Sequence, residues 1–288
     1  MEVTLDPLGP VERGAAAVAW FRRALSGPFA ELVRQAERDE YGVRTRTSIR
    51  QAEGSQRTHI AHLGRNRRRL DEELAKSPEW AVTEFYGEDT LARVQCSYFP
   101  VEGEWSQFVV ALQAGSSRLS DAKYCTALVD FFAQALDDLN PVFARIERDS
   151  FSDWSNIEAA LTRDLDESLP EGRDFMRGYG WVAVCPQELV IRLGGPEVLA
   201  ATGAFHRVIS LQEGGVLLQA SETLAGYNDQ VIERVFTALA PVLPEGEPRP
   251  DPAHPNLRFS SSYGMLARFA ERSGIRGVIR RSPSPRGG

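Results

Sequence analysis

The chain is poor in the residues that carry most metal, redox and nucleophilic chemistry. It has 3 cysteines and 4 histidines in 288 residues. Cys96, Cys125 and Cys185 stand far apart with no Cys-x-x-Cys spacing, which excludes a disulfide framework and a zinc ribbon; buried, reduced thiols are expected. His59 and His62 would share one face if their segment were helical. No acid or thiol follows at a ligating spacing, and Arg57 and Arg65 flank the pair, so no metal is expected. His206 leads an apolar strand, where packing accounts for it. The sequence has no Gly-x-Ser-x-Gly elbow, no His-Glu-x-x-His pair and no phosphate loop. No apolar run reaches the roughly 18 to 20 residues of a membrane span, and "MEVTLDPLGP" lacks the basic-then-apolar order of a targeting signal. A cytoplasmic protein without a membrane segment is the expectation.

What remains for catalysis is carboxylate: Asp137 with Asp138, and Asp164, Asp166 and Glu167. Such acids do glycosidase or two-metal work only when gathered in one cleft, and otherwise decorate helix ends. The reading is therefore a non-catalytic protein with no cofactor. An enzyme with an unrecognised carboxylate site is the alternative.

The composition is that of a globular domain, 42% hydrophobic and 25% charged, and it can bury a real core. The net charge of −7 is unevenly spread. Residues 41–70 carry +7 and 258–288 carry +6, leaving −18 on 71–257. An acidic body between basic flanks bears on partner choice and solubility rather than fold. The tract Arg44–Arg69 could neutralise phosphates, but its aromatic neighbour is Tyr41 at the edge, which gives little for bases to stack on. A solvated helix face, salt-bridged to the acidic body, is favoured there over a nucleic-acid surface.

Periodicity places the elements. Val18, Phe21, Leu25, Phe29, Leu32 and Val33 recur at helical spacing, with a break at Gly27-Pro28. "NRRRLDEELAKS" resumes helix and stops before Pro78. "EWAVTEFYG", "LARVQCSYF" and "WSQFVVALQA" read as strands joined by short connections, hence an antiparallel meander. A helix capped by Ser120 follows, its core stripe running through Ala127, Leu128, Phe131, Phe132, Ala135, Leu136 and Leu139. "PVFARIERDS" is another strand. Ser155 and Glu158 fit a capping box. "HRVISLQEGGVLLQASE" is a hairpin about Gly214-Gly215, and Asn228 or Asp229 caps a last helix with Val231, Ile232, Val235, Phe236 and Leu239 inward. The fold class is α+β, antiparallel sheet with helices packed on one side. The shared element order also suggests two similar β-meander-plus-helix halves. Three parts follow: a helical, basic segment 1–77, an α+β domain 78–248, and a Pro/Arg-rich flexible tail 249–288.

The stretch "GYGWVAVCPQELVIRLGGPEVLAATGAFHRV", residues 178–208, is the densest in signals. Gly178-x-Gly180 is a fragment of a dinucleotide loop, but a strand follows where that mechanism needs a helix N-terminus. A scaffold accounts for it better. The glycines turn the chain into a strand led by Trp181, Pro186 ends that strand, Gly194 and Gly195 break a short element, and Pro196 starts a helix where its missing NH is harmless.

The same stretch, with the "VFTALAPVLP" that closes the last helix, resembles bacterial immunity proteins of polymorphic-toxin and type VI secretion systems, in particular immunity protein 52 and the type VI immunity group. The resemblance is carried by Tyr179, Gly180, Trp181, Arg192, Leu193, Gly194, Gly195, Val235, Phe236 and residues 239–244. It spans roughly residues 80–248. It implies a protein that binds and blocks a cognate toxin, often a nuclease. An acidic body suits that role, because carboxylates can occupy a site built for phosphates.

Overall fold

The computed structural model describes residues 1–51, 57–87, 91–101, 103–112, 116–148 and 154–246. The expected tail 249–288 and His254 lie outside the described residues. The chain opens with strand β1 (Glu2–Leu5), then helices α1 (Pro10–Ser26) and α2 (Ala30–Glu37), a hairpin β2 (Arg44–Arg50) and β3 (Arg57–Ile60), and α3 (Arg67–Leu74). The meander follows as β4 (Trp80–Tyr86), β5 (Leu91–Val101) and β6 (Gly103–Leu112). Next come α4 (Ser116–Leu119), α5 (Ala122–Leu136), β7 (Phe143–Ile146), α6 (Asn156–Leu161) and α7 (Leu165–Ser168). The last third holds β8 (Val182–Cys185), α8 (Gln187–Arg192), α9 (Pro196–Ala201), β9 (Arg207–Ser210), β10 (Val216–Gln219) and α10 (Asp229–Leu239).

All ten strands join one antiparallel sheet in the order β3-β2-β4-β5-β6-β1-β7-β8-β10-β9. The fold is α+β with an open sheet. The meander and the β8–β10 group are joined through β1 and β7, so the two groups of strands are continuous. β1 lies between β6 and β7, with Val3 opposite Phe108 on one side and Ala144 on the other. Alternation along β1 sends Val3 and Leu5 to one face and Glu2 and Thr4 to the other. The Val3 face is covered by α1, whose Trp20 ring sits 5.9 Å from Phe108 and 6.4 Å from Phe131 of α5. The Thr4 face at the middle of the sheet meets the segment that carries α6 and α7.

Several expectations need correction. Residues 1–77 are not simply helical: they supply β1, β2 and β3, and the ladder between β2 and β4 crosses the expected boundary at 77/78. The tract Arg44–Arg69 is a strand hairpin before it is a helix. In β2, Thr45, Thr47 and Ile49 alternate with Arg44, Arg46 and the paired Ser48, and a period of two outweighs the arginine content. His59 therefore sits on a strand and His62 beyond it in a left-handed backbone (φ 50), not together on a helix. Asp121, not Ser120, caps α5, accepting from the Lys123 amide at 2.9 Å. Ser120 is used by the preceding turn, where its own NH bonds the Ser117 carbonyl. The expected stripe of α5 is present and wider: Phe132, Ala135 and Leu136 are buried, Leu128, Phe131 and Leu139 pack against the core half-buried, Cys125 and Val129 join them, and Ala127 is exposed.

Candidate functional site

The stretch 178–186 lies inside the protein, while much of 187–203 faces solvent. Tyr179 and Trp181 are fully buried. The Trp181 indole donates to the Ser221 carbonyl at 2.8 Å, and the Tyr179 amide donates to Asn156 Oδ1 at 3.2 Å. A Cβ on Gly178 would lie 2.6 Å from Ser155 Cβ, and one on Gly180 would lie 3.2 Å from the Ile146 carbonyl. Both glycines thus let the chain pass close to α6 and β7. Gly194 and Gly195 hold φ of +87° and +96° between α8 and α9, a backbone that β-carbons resist. Leu193 beside them is half-buried. Arg192 reaches from the end of α8 to the carbonyls of Asp174 and Pro241, which ties two distant segments together.

The same region holds charges that the sequence places on the surface. Arg145, 1% exposed, pairs with Glu2 at 3.0 Å and Glu147 at 3.2 Å. Glu2 also accepts from Gln107 at 3.0 Å. Arg177 pairs with Glu158 at 2.7 Å, both side chains 1% exposed, and gives a further hydrogen bond to Thr4 Oγ1 at 3.2 Å. The Phe143 ring lies between the two guanidinium groups, 5.3 Å from Arg145 and 4.6 Å from Arg177. Glu158 also accepts from Ser168 Oγ and from the Ser155 amide at 2.6 Å; Ser155 Oγ returns the capping bond at 3.0 Å. Burial alone pushes the Glu158 carboxyl up, but Arg177, Ser168 and the Ser155 amide outweigh it and leave it below its ordinary value. Burial likewise opposes the charge on Arg145, which Glu2, Glu147 and Glu158 restore. A general acid or base needs a free proton site facing substrate. Glu2 and Glu158 have both carboxylate oxygens held by donors of the protein itself.

The other chemistry-bearing residues are dispersed. Burial raises all three thiols, Cys96 to about 12, and disfavours the nucleophilic thiolate. Asp137 receives Gln212, Asp138 pairs with Arg23, and Asp164, Asp166 and Glu167 open the single turn of α7. His59 meets Ser48 across the hairpin at 3.1 Å, and the His206 amide bonds the Gln219 carbonyl at 2.8 Å. Among the described residues, no grouping of three or more His, Cys, Asp or Glu could hold a metal ion. Arg46 and Arg50 are matched by Glu84 at 2.7 Å and Glu79 at 2.8 Å. Part of the basic tract is therefore neutralised by the acidic body. None of the described helices is long and apolar enough to cross a membrane.

A recess lies elsewhere, between α2 and α5, with a volume of about 910 Å³. Glu31, Leu32 and Gln35 of α2 form one wall, and Tyr124, Leu128 and Phe131 of α5 form the other. Val43, Ala92 and Leu112 line it from the sheet side. Its rim carries two large exposed apolar side chains, Tyr41 (83%) and Leu91 (54%). Sequence reading missed this cleft. Its signal was the width of the apolar arc on α5, which holds more hydrophobic positions than one core contact uses.

No family model and no curated protein matches the chain. A solved structure, described as Pseudomonas aeruginosa T6SS protein PA0821, aligns with a TM-score of 0.51 at 13% identity, covering 96% of this chain and 85% of that one. At that identity the likeness is one of fold: this chain folds like a protein of a type VI secretion system.

Proposed function

We propose that the protein is a non-catalytic immunity protein that binds and neutralises a toxin protein of a type VI or polymorphic-toxin system. The observation that carries this reading is the division of labour within the molecule. Its deeply buried carboxylates and guanidinium groups are consumed in internal pairs, while the open recess between α2 and α5 offers aromatic and aliphatic side chains beside Glu31, Gln35 and Arg118. A catalytic protein concentrates perturbed, accessible polar groups in its recess; a binding protein offers aromatic and aliphatic anchors. The fold shared with a type VI protein over nearly the whole chain and the motif of 178–244 support the same reading. The acidic body would hasten encounter with a basic toxin, an effect that salt screens.

The test is co-expression with a candidate nuclease toxin. Survival of the host and a stoichiometric complex on size-exclusion chromatography are expected. A well-folded protein that neither rescues growth nor forms the complex would reject the proposal.

A further inference from the structure

We infer that a single internal water molecule binds between α1 and strands β5 and β6, bridging the hydroxyls of Ser77 and Ser106. Two observations converge on one place. The first is a buried hydroxyl: Ser106 is 1% exposed, and its Oγ has no hydrogen-bond partner among the described residues. Alternation along β6 sets Ser106 on the side of Phe108, and it lies opposite Leu5 in the β1 ladder. It is therefore a hydroxyl on the apolar face that packs under α1. An unpaired hydroxyl there carries its full desolvation cost, and buried polar groups are accordingly almost always paired. The second observation is a small cavity of about 10 Å³, lined by Ser106 itself together with Ser77, Arg13, Tyr98, Cys96 and Phe108.

Both the space and its chemistry fit water. The volume is about that of one sphere of water's radius, which excludes an organic ligand or a hydrated ion. Chemistry excludes a bare cation as well, because the lining holds a guanidinium and no carboxylate. An internal water needs at least two polar partners, and the cavity supplies two hydroxyls. Ser77 Oγ accepts from Arg13 Nε at 2.7 Å, which leaves its own proton to donate. Ser106 Oγ has its lone pairs to offer. The water takes the proton of Ser77 and gives one of its own to Ser106. Arg13 and Tyr98, both half-buried, stand at the outer edge. The Arg13 guanidinium lies 4.5 Å from the Tyr98 ring centre while its Nε holds Ser77. Ser77 belongs to the turn between α3 and β4, where its backbone is left-handed (φ 57). The water thus ties that turn to β6, two segments that share no ladder.

A double-mutant cycle tests the bridge. Ser77→Ala and Ser106→Ala are made singly and together, and urea midpoints are compared. The two hydroxyls share no direct bond, so a shared water is what couples them. Each single change should lower the midpoint. The double variant should lose less than the two single losses added together, because the second change removes a bridge the first has already broken. A high-resolution crystal structure of the wild-type chain gives a readout that depends on no variant folding. It should show one density peak roughly 2.8 Å from both serine oxygens, and the peak should vanish in Ser106→Ala. Additive losses would overturn the inference. So would a higher midpoint for Ser106→Ala, the sign expected when a truly unpaired buried hydroxyl is removed, or a wild-type map with no peak between the two serines.

Discussion

The two faces of the central strands bury their side chains in opposite ways. On one, Val3, Leu5, Phe108 and Ala144 pack against Trp20 and Phe21 in an apolar core. On the other, their immediate neighbours Glu2, Thr4, Gln107 and Arg145 meet Arg177 and Glu158 in a network of ion pairs and hydrogen bonds. An apolar face is held by area removed from water and tolerates change of shape. A charged face is held only while every member is present, because a lone buried charge has no solvent to fall back on. The comparison teaches why so many acids and bases in this protein have no catalytic appearance: they are the mortar of one side of the sheet.

Breaking the charged side should have the largest effect. Arg177→Met leaves Glu158 buried and uncompensated, and a loss of about 3–5 kcal/mol is expected in urea unfolding. The double change Arg177→Met with Glu158→Leu should recover a substantial part of that loss, which a merely additive pair would not. Leu5→Ala on the apolar side opens a cavity and should lower stability by about 3 kcal/mol, with no such rescue from any neighbour. Gly178→Ala places a methyl against Ser155 and Asn156 and should lower stability by about 1–3 kcal/mol, through the loss of a close approach rather than of a contact.

Acid should separate the two faces as well. The Glu158 carboxyl has a folded pKa below its ordinary 4.5. Its stabilising contribution is therefore complete above the unfolded value and is lost as pH falls through the lower, folded one. Urea midpoints measured from pH 7 down to pH 3 should fall, and Glu158→Gln should flatten that part of the slope. A slope unchanged by Glu158→Gln would show that this pair does not govern acid sensitivity. The smallest effect belongs to the surface: Arg46→Ala removes the exposed pair with Glu84 and should move the urea midpoint least of these variants, less still at high salt.

The local signals were legible in the sequence. Ser155 and Glu158 form the expected capping box, Gly27-Pro28 separates α1 from α2, and the three meander strands lie where β-branched and aromatic runs place them. The illegible parts share one physical cause, a partner distant in the chain. β1 has four residues, two of them polar, and Arg145, 143 positions away from Glu2, together with Gln107 makes that carboxylate a core residue. Arginines in β2 read as a helix face until Glu84 of the neighbouring β4, and Glu79 just before that strand, answer them. The α2–α5 cleft was hidden for a related reason. Ala127, Leu128 and Phe131 carry the same hydrophobic signal whether a core or an open slot receives them.

The position of β1 has a consequence for how the molecule is made. Its ladder partners, near Val109 and Arg145, leave the ribosome long after it does, so the nascent strand waits for β6 until more than a third of the chain is made and for β7 until about half is. Until β7 emerges, the Glu2 carboxylate has no guanidinium beside it and the two groups of strands have no shared spine. Contacts of such long sequence separation are slow to close. Translation past Ile146 accordingly completes the edge on which β8 and then β10, not yet made, later assemble.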